Sequence, residues 1–211
     1  MRQPMIVGSA ALIVVDMQKG GGLSVEEVGI PHMGGYSERR ERAVRLVNAA
    51  RAAGVPVVFF QEVHRRSLVD FGRELDGAET VHCLAGDRAT ELDDRLLPEA
   101  GDHHIVKRRY SCFFGTELEI LLKGLRVDTL ILIGGLTDVC VHYTFVDAHQ
   151  HDYYTRVVED CVGGSSEAAH ESALNAMEYL QAGARRTTAE ILEAFAELAA
   201  ARTGVPVPVS V

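Results

Sequence analysis

No stretch of the 211-residue chain approaches the roughly 20 consecutive apolar residues that a membrane-spanning helix requires. Basic residues are in deficit: 21 Lys+Arg against 30 Asp+Glu leave a net charge of −9, which argues against nucleic acid or an anionic membrane as a partner. Cysteines number four and lack close pairing spacings, a pattern of a reducing compartment rather than a disulfide framework. Only one basic residue precedes the first apolar run, and that run carries Asp16, so a signal peptide is not expected and the expected location is cytoplasmic. Internal repeats and low-complexity tracts are also missing, so neither a solenoid nor a fibrous architecture is expected.

What the chain does contain is a regular alternation of buried-strand and amphipathic-helix patterns. Hydrophobic residues make up 47% and charged residues 24%, the balance of a globular domain long enough for a sizeable core. Residues 1–203 read as one domain and 204–211 as a C-terminal tail. Strands are expected at 10–15, 55–61, 103–107, 127–135 and 156–159, with a weak edge strand at 184–188. Helices are expected at 37–53, 116–123, 138–149, 165–182 and 189–202. Right-handed crossovers would fold these into an α/β protein, a three-layer α-β-α sandwich around a mostly parallel, doubly wound sheet. The polar stretch 62–87 is too long for a routine connection and is a candidate substrate loop.

Chemistry concentrates at three strand ends. Cys140 lies where an apolar run and a double glycine hand over to a helix, so free N–H groups and the helix dipole are expected to lower its thiol pKa. Asp16 ends the first strand and Lys107 ends the strand HHIVK. A carboxylate in a partly apolar cleft can take a thiol proton, and a lysine can balance the charge. Cys83, Cys112 and Cys161 read as ordinary buried cysteines.

The segments LIVVDMQ at 12–18, VKRRYSCFFGTELEILLKGLRVDTLILIGGLTDVCVHYTFVDAHQHDY at 106–153 and VVEDCVGG at 157–164 resemble the isochorismatase-like cysteine hydrolases. That family includes nicotinamidases, N-carbamoylsarcosine amidohydrolases, biuret hydrolases and ureidoacrylate hydrolases. The resemblance runs from about residue 8 to residue 195 and implies a catalytic triad of Asp16, Lys107 and Cys140. It also implies a non-proline cis peptide at Gly135–Leu136, bringing the Leu136 N–H beside that of Cys140 as an oxyanion hole. Gln18, Tyr110, Phe113 and Thr137, all within the matching motifs, are candidate pocket residues. The loop after D-x-Q departs from the family: Lys19-Gly20-Gly21-Gly22 stands where an acidic residue and a phenylalanine are common.

Glu62 and His64 lie two apart at a strand end, with His82 following in VHCLAGD. This echoes the metal-binding pattern of nicotinamidases, with glutamate in place of aspartate, and would suit a divalent metal such as zinc. The competing reading is a set of hydrogen bonds holding the loop. The resemblance implies a cysteine-dependent amidohydrolase that cleaves a C–N bond of a small amide or carbamoyl compound through a thioester, with no cofactor required. Alternatives are a nicotinamidase-type metal-containing deamidase, a vinyl-ether hydrolase of the isochorismatase type, or a silent binding protein. Vinyl-ether chemistry has no use for Cys140. A small-molecule amide is the expected partner, and a homodimer or homotetramer the expected assembly, with Val205–Val209 as an apolar contact segment.

Overall fold

A computed structural model describes residues 4–203 of the chain. The tail 204–211, with its suggested role in assembly, lies outside the described residues. In chain order the main elements are β1 (Ala10–Val15), α1 (Val25–Val28), α2 (Tyr36–Ala53), β2 (Val57–Glu62), β3 (His103–Lys107), α3 (Leu118–Leu125) and β4 (Thr129–Gly135). A π-helical turn, Thr137–Val141, leads into α4 (His142–Gln150), followed by β5 (Tyr154–Gly163), α5 (Glu167–Leu180), β6 (Arg185–Arg186) and α6 (Thr188–Thr203).

The strands form one sheet in the order β3-β2-β1-β4-β5-β6, and every pairing is parallel. A parallel sheet covered on both faces needs strands that are apolar on both sides, which is why β1 reads AALIVV without alternation. Within it, Ala11, Ile13 and Val15 join the core beneath α3, α4 and α5. Ala10, Leu12 and Val14 join the opposite core with α2 and α6. The three expected layers follow from this division.

Element ends obey local chemistry. Gly54 closes α2 in the left-handed region (φ +66°), its N–H bonding the Ala50 carbonyl. Ser166 caps α5, its hydroxyl accepting from the Ala169 N–H at 3.2 Å. The structure extends β5 well beyond the expected 156–159. Glu159 and Asp160 resemble a strand stop, but tertiary partners absorb their charge: Arg185 Nε donates to Glu159 at 2.8 Å, and Thr188 donates twice to Asp160. One backbone position admits only glycine: a Cβ on Gly134 (φ +112°) would lie 2.0 Å from the Val15 carbonyl oxygen.

β1 and β4 are sheet neighbours whose chains continue toward opposite edges, so a crevice opens at their carboxyl ends. Asp16 leaves β1 with φ +49°, and Cys140 follows β4 across that crevice.

Candidate active site

Register brings the predicted triad together. Lys107 ends the edge strand β3 opposite Glu62 of β2, and β2 pairs in turn with β1, which precedes Asp16. On an edge strand alternate residues turn inward, so Lys107 shares the buried side of β3 with Ile105. Its Nζ lies 2.8 Å from Asp16 Oδ2, 2.6 Å from Glu62 Oε2 and 3.4 Å from Cys140 Sγ. Cys140 Sγ is itself 3.6 Å from Glu62 Oε2. Asp16, Glu62 and Cys140 thus offer atoms that all lie within 4.8 Å of one another. Asp16 Oδ1 is buried with no hydrogen-bond partner among the described residues.

These groups set one another's protonation. Burial pushes Asp16 up to about 6, against the pull of Lys107 and with help from Glu62. Burial would raise Glu62 too, but Lys107, His64 and His82 outweigh it and hold Glu62 well below the usual carboxylate range. Lys107 is kept well above its ordinary value by Asp16, Cys140 and Glu62, which together overcome its burial. The thiol corrects an expectation. Burial first, with the nearby Asp16 and Glu62 carboxylates adding to it, pushes Cys140 well above the usual thiol value, and Lys107 only partly opposes this. Cys140 at rest is therefore a thiol rather than a preformed thiolate.

The Gly135–Leu136 peptide is cis. Gly135, Leu136, Cys140, Asp16, Gln18 and Tyr110 line a common cavity of ≈ 200 Å³, at the small end of ligand sites. The Gln18 side chain is occupied: its amide donates to the carbonyls of Glu62 and Thr90 and accepts from the Glu62 N–H, which ties β1 to the end of β2. Two candidates fall outside the cavity lining. Thr137 is fully buried, its hydroxyl 2.9 Å from His170 Nδ1, because the π turn points it toward α5. Phe113 stacks on His151, with ring centroids 5.2 Å apart, and packs against the core.

The second predicted group also converges. His64 Nε2 and His82 Nε2 each lie 3.2 Å from Glu62 Oε1. Glu74, which the sequence reading missed, brings Oε2 to 3.1 Å from His64 Nε2 and 4.0 Å from His82 Nε2. Backbone bonds from His64 N–H to the Cys83 carbonyl (2.7 Å) and from Ala85 N–H to the His64 carbonyl (2.8 Å) fold the 62–87 loop back to make this possible. Nothing in FGRELDG separates Glu74 from its solvated acidic neighbours; only the loop's length hinted at a role. Residues 79–84 of the same loop wall the cavity with Glu79, Val81, His82, Cys83 and Leu84.

Comparison with known proteins places this arrangement. The Isochorismatase domain matches residues 10–191. The ureidoacrylate amidohydrolase RutB of Yersinia enterocolitica is 34% identical over 175 residues, covering 72% of this chain and 74% of that protein. The solved N-carbamoylsarcosine amidase of Thermoplasma acidophilum superposes with a TM-score of 0.71 at 27% identity, over 86% of this chain and 97% of that one. The nicotinamidase PncA of Bacillus subtilis gives a TM-score of 0.71 at 27% identity, over 85% of this chain and all (100%) of that one. With the family's domain spanning both sheet halves and the strand-end cluster, the chain belongs to the isochorismatase family.

Proposed function

We propose that the protein is a cysteine-dependent amidohydrolase cleaving a C–N bond of a small amide or carbamoyl compound. The observation that carries this reading is the buried, unpartnered Asp16 oxygen beside a thiol at the wall of a small cavity. Of the two carboxylates near Cys140, Asp16 is the better base, because a group at about 6 binds a proton where Glu62, held far lower, releases it. Asp16 takes the Sγ proton and the thiolate attacks the carbonyl carbon. The Leu136 and Cys140 N–H groups serve as the oxyanion hole, being close to the start of a helical turn on the cavity wall. Asp16 returns the proton to the leaving nitrogen as the C–N bond breaks, leaving a thioester. Water then gives a proton to Asp16 and attacks the thioester; the C–S bond breaks, the thiol is restored and an acid leaves. Lys107 keeps Glu62 ionised throughout and favours the ionised form of Asp16 between its proton transfers. The relatives named for amidohydrolase and amidase activity support the reaction class.

A metal-containing variant of this reading rests on the second cluster. Glu62, His64, Glu74 and His82 would hold a divalent cation such as zinc. Separations of 3.1–4.0 Å between ligand atoms suit bonds of about 2.0–2.1 Å around one ion. His82 Nδ1 lies 2.6 Å from the Thr80 carbonyl, an orientation that leaves Nε2 for a ligand. Glu74 Oε1 is buried with no hydrogen-bond partner among the described residues. Such an ion would polarise or orient a bound carbonyl. Homodimer or homotetramer formation belongs to the same reading, and the exposed Phe114, Ile120 and Tyr179 support it.

Ammonia release across nicotinamide, biuret, ureido acids and simple amides tests the reaction. One of these should be turned over, and Cys140→Ala should lose about 10³-fold or more of that rate while keeping its circular dichroism. Near-normal hydrolysis by the variant would remove Cys140 from the mechanism. Metal analysis of the purified protein and of Glu74→Gln, with lower content expected in the variant, tests the second cluster.

A further inference from the structure

The cavity's charges are compensated unequally. Asp16 and Glu62 share Lys107, and Glu62 also faces His64 and His82. Asp87 pairs with Arg66, and Glu27 accepts from the Ser24 N–H in a capping box. Glu79 accepts from the neutral Tyr110 phenol, which donates to its Oε2 at 3.0 Å, and feels the charge of His82 from farther off; among the described residues no lysine, arginine or histidine nitrogen lies within ion-pair distance. Burial pushes the Glu79 carboxyl up; the Tyr110 hydrogen bond and the charge of His82 oppose this, and the negative Glu62 and Glu74 add to it. The cavity's arginine, Arg39, forms no ion pair with Glu79; its guanidinium donates instead to the Gly34 and Met33 carbonyls, at 2.6 and 3.4 Å.

Resting on the amidohydrolase reading and narrowing it, we infer that Glu79 is the specificity residue of the cavity, selecting small amides that carry an ammonium or other cationic N–H group away from the scissile carbonyl and rejecting carboxylate-bearing ones. A cation placed there would supply the counter-charge that the protein does not, and Tyr110 holds the carboxylate in place to receive it. An anionic ureido acid seated at Glu79 would instead bring a second negative charge against it.

Calorimetric titration of the Cys140→Ala protein at pH 8 tests this with three primary amides of one chain length. One carries a terminal ammonium, one a methyl group and one a carboxylate. The ammonium amide should bind about tenfold or more tighter than the carboxylate amide. Glu79→Gln in the same background should shrink that ratio to under about threefold, and Glu79→Lys should reverse it. Equal or tighter binding of the anion, an order unchanged in Glu79→Gln, or no binding of any of the three overturns the assignment. Turnover of the same amides by the wild-type protein keeps the two readings apart. Binding in the expected order without C–N cleavage removes the hydrolase and leaves the recognition, whereas cleavage indifferent to Glu79 removes the recognition alone.

Discussion

The cavity has two walls, and they satisfy their polar atoms differently. The strand-end wall carries Asp16, Glu62 and Lys107 in contacts of 2.6–2.8 Å, and adjacent parallel ladders fix their positions. The loop wall is held by a few backbone bonds, such as Thr80 N–H to the Gly29 carbonyl at 2.8 Å, and it presents Glu79 hydrogen-bonded to a phenol rather than paired with a lysine or arginine. Reacting groups need fixed geometry, which a sheet provides. Selecting groups need surfaces that can vary without disturbing the sheet, which loops provide. Glu62 joins the two, one oxygen on Lys107 and the other facing both histidines.

If the strand-end wall does the chemistry, the largest effect there after loss of the thiol is loss of the base. Asp16→Asn is expected to lower kcat/KM by about 10²–10⁴-fold. Retention of more than a tenth of the rate would assign the base elsewhere. In the wild type, kcat/KM should fall as pH drops through about 6, because only ionised Asp16 accepts the thiol proton. Stability should move the other way. Asp16 is raised from 3.8 to about 6 on folding, so its ionisation costs the folded state progressively more from pH 3.8 to about 6 and in full above that. Asparagine escapes this cost, and Asp16→Asn should be more stable at pH 8 by about 1–3 kcal/mol in urea unfolding.

Lys107→Met strikes the same wall from the opposite sign of charge. Removing the cation leaves Asp16 and Glu62 buried without it, and a loss of about 3–5 kcal/mol in unfolding free energy is expected. A variant as stable as the wild type would mean that the three charges are not fixed as a unit. The smallest effect is expected outside both walls. Phe113→Leu should leave KM within about twofold while costing roughly 1 kcal/mol of stability, because the ring packs on His151 rather than on substrate. A large change in KM would return Phe113 to the cavity.

The three-layer sandwich was legible because both-face burial leaves its mark on every central strand, as in AALIVV. The thiol, carboxylate and lysine were legible because each sits at a strand end, where local pattern announces position. Phe113 and Thr137 were misplaced for the converse reason: a motif shows that two residues are near in sequence, not which way a turn points them. The raised thiol was misjudged because the helix dipole can be read from a strand-to-helix handover, whereas burial beside two carboxylates cannot.

By itself, then, the sequence determined the layers, the strand ends and the residue types gathered there, since periodicity and chain breaks are local and are written residue by residue. Only the tertiary structure decided what those residues do to one another. Glu62 reaches Lys107 because β2 and β3 are in register, and Glu74 reaches His64 because backbone bonds fold back a long loop. Glu79 lacks an ion pair because, among the described residues, the folded chain brings no lysine or arginine nitrogen within reach of it, although 21 Lys+Arg are present in the sequence. Electrostatic energy depends on distance and burial, and both are fixed by the assembled fold rather than by any one segment.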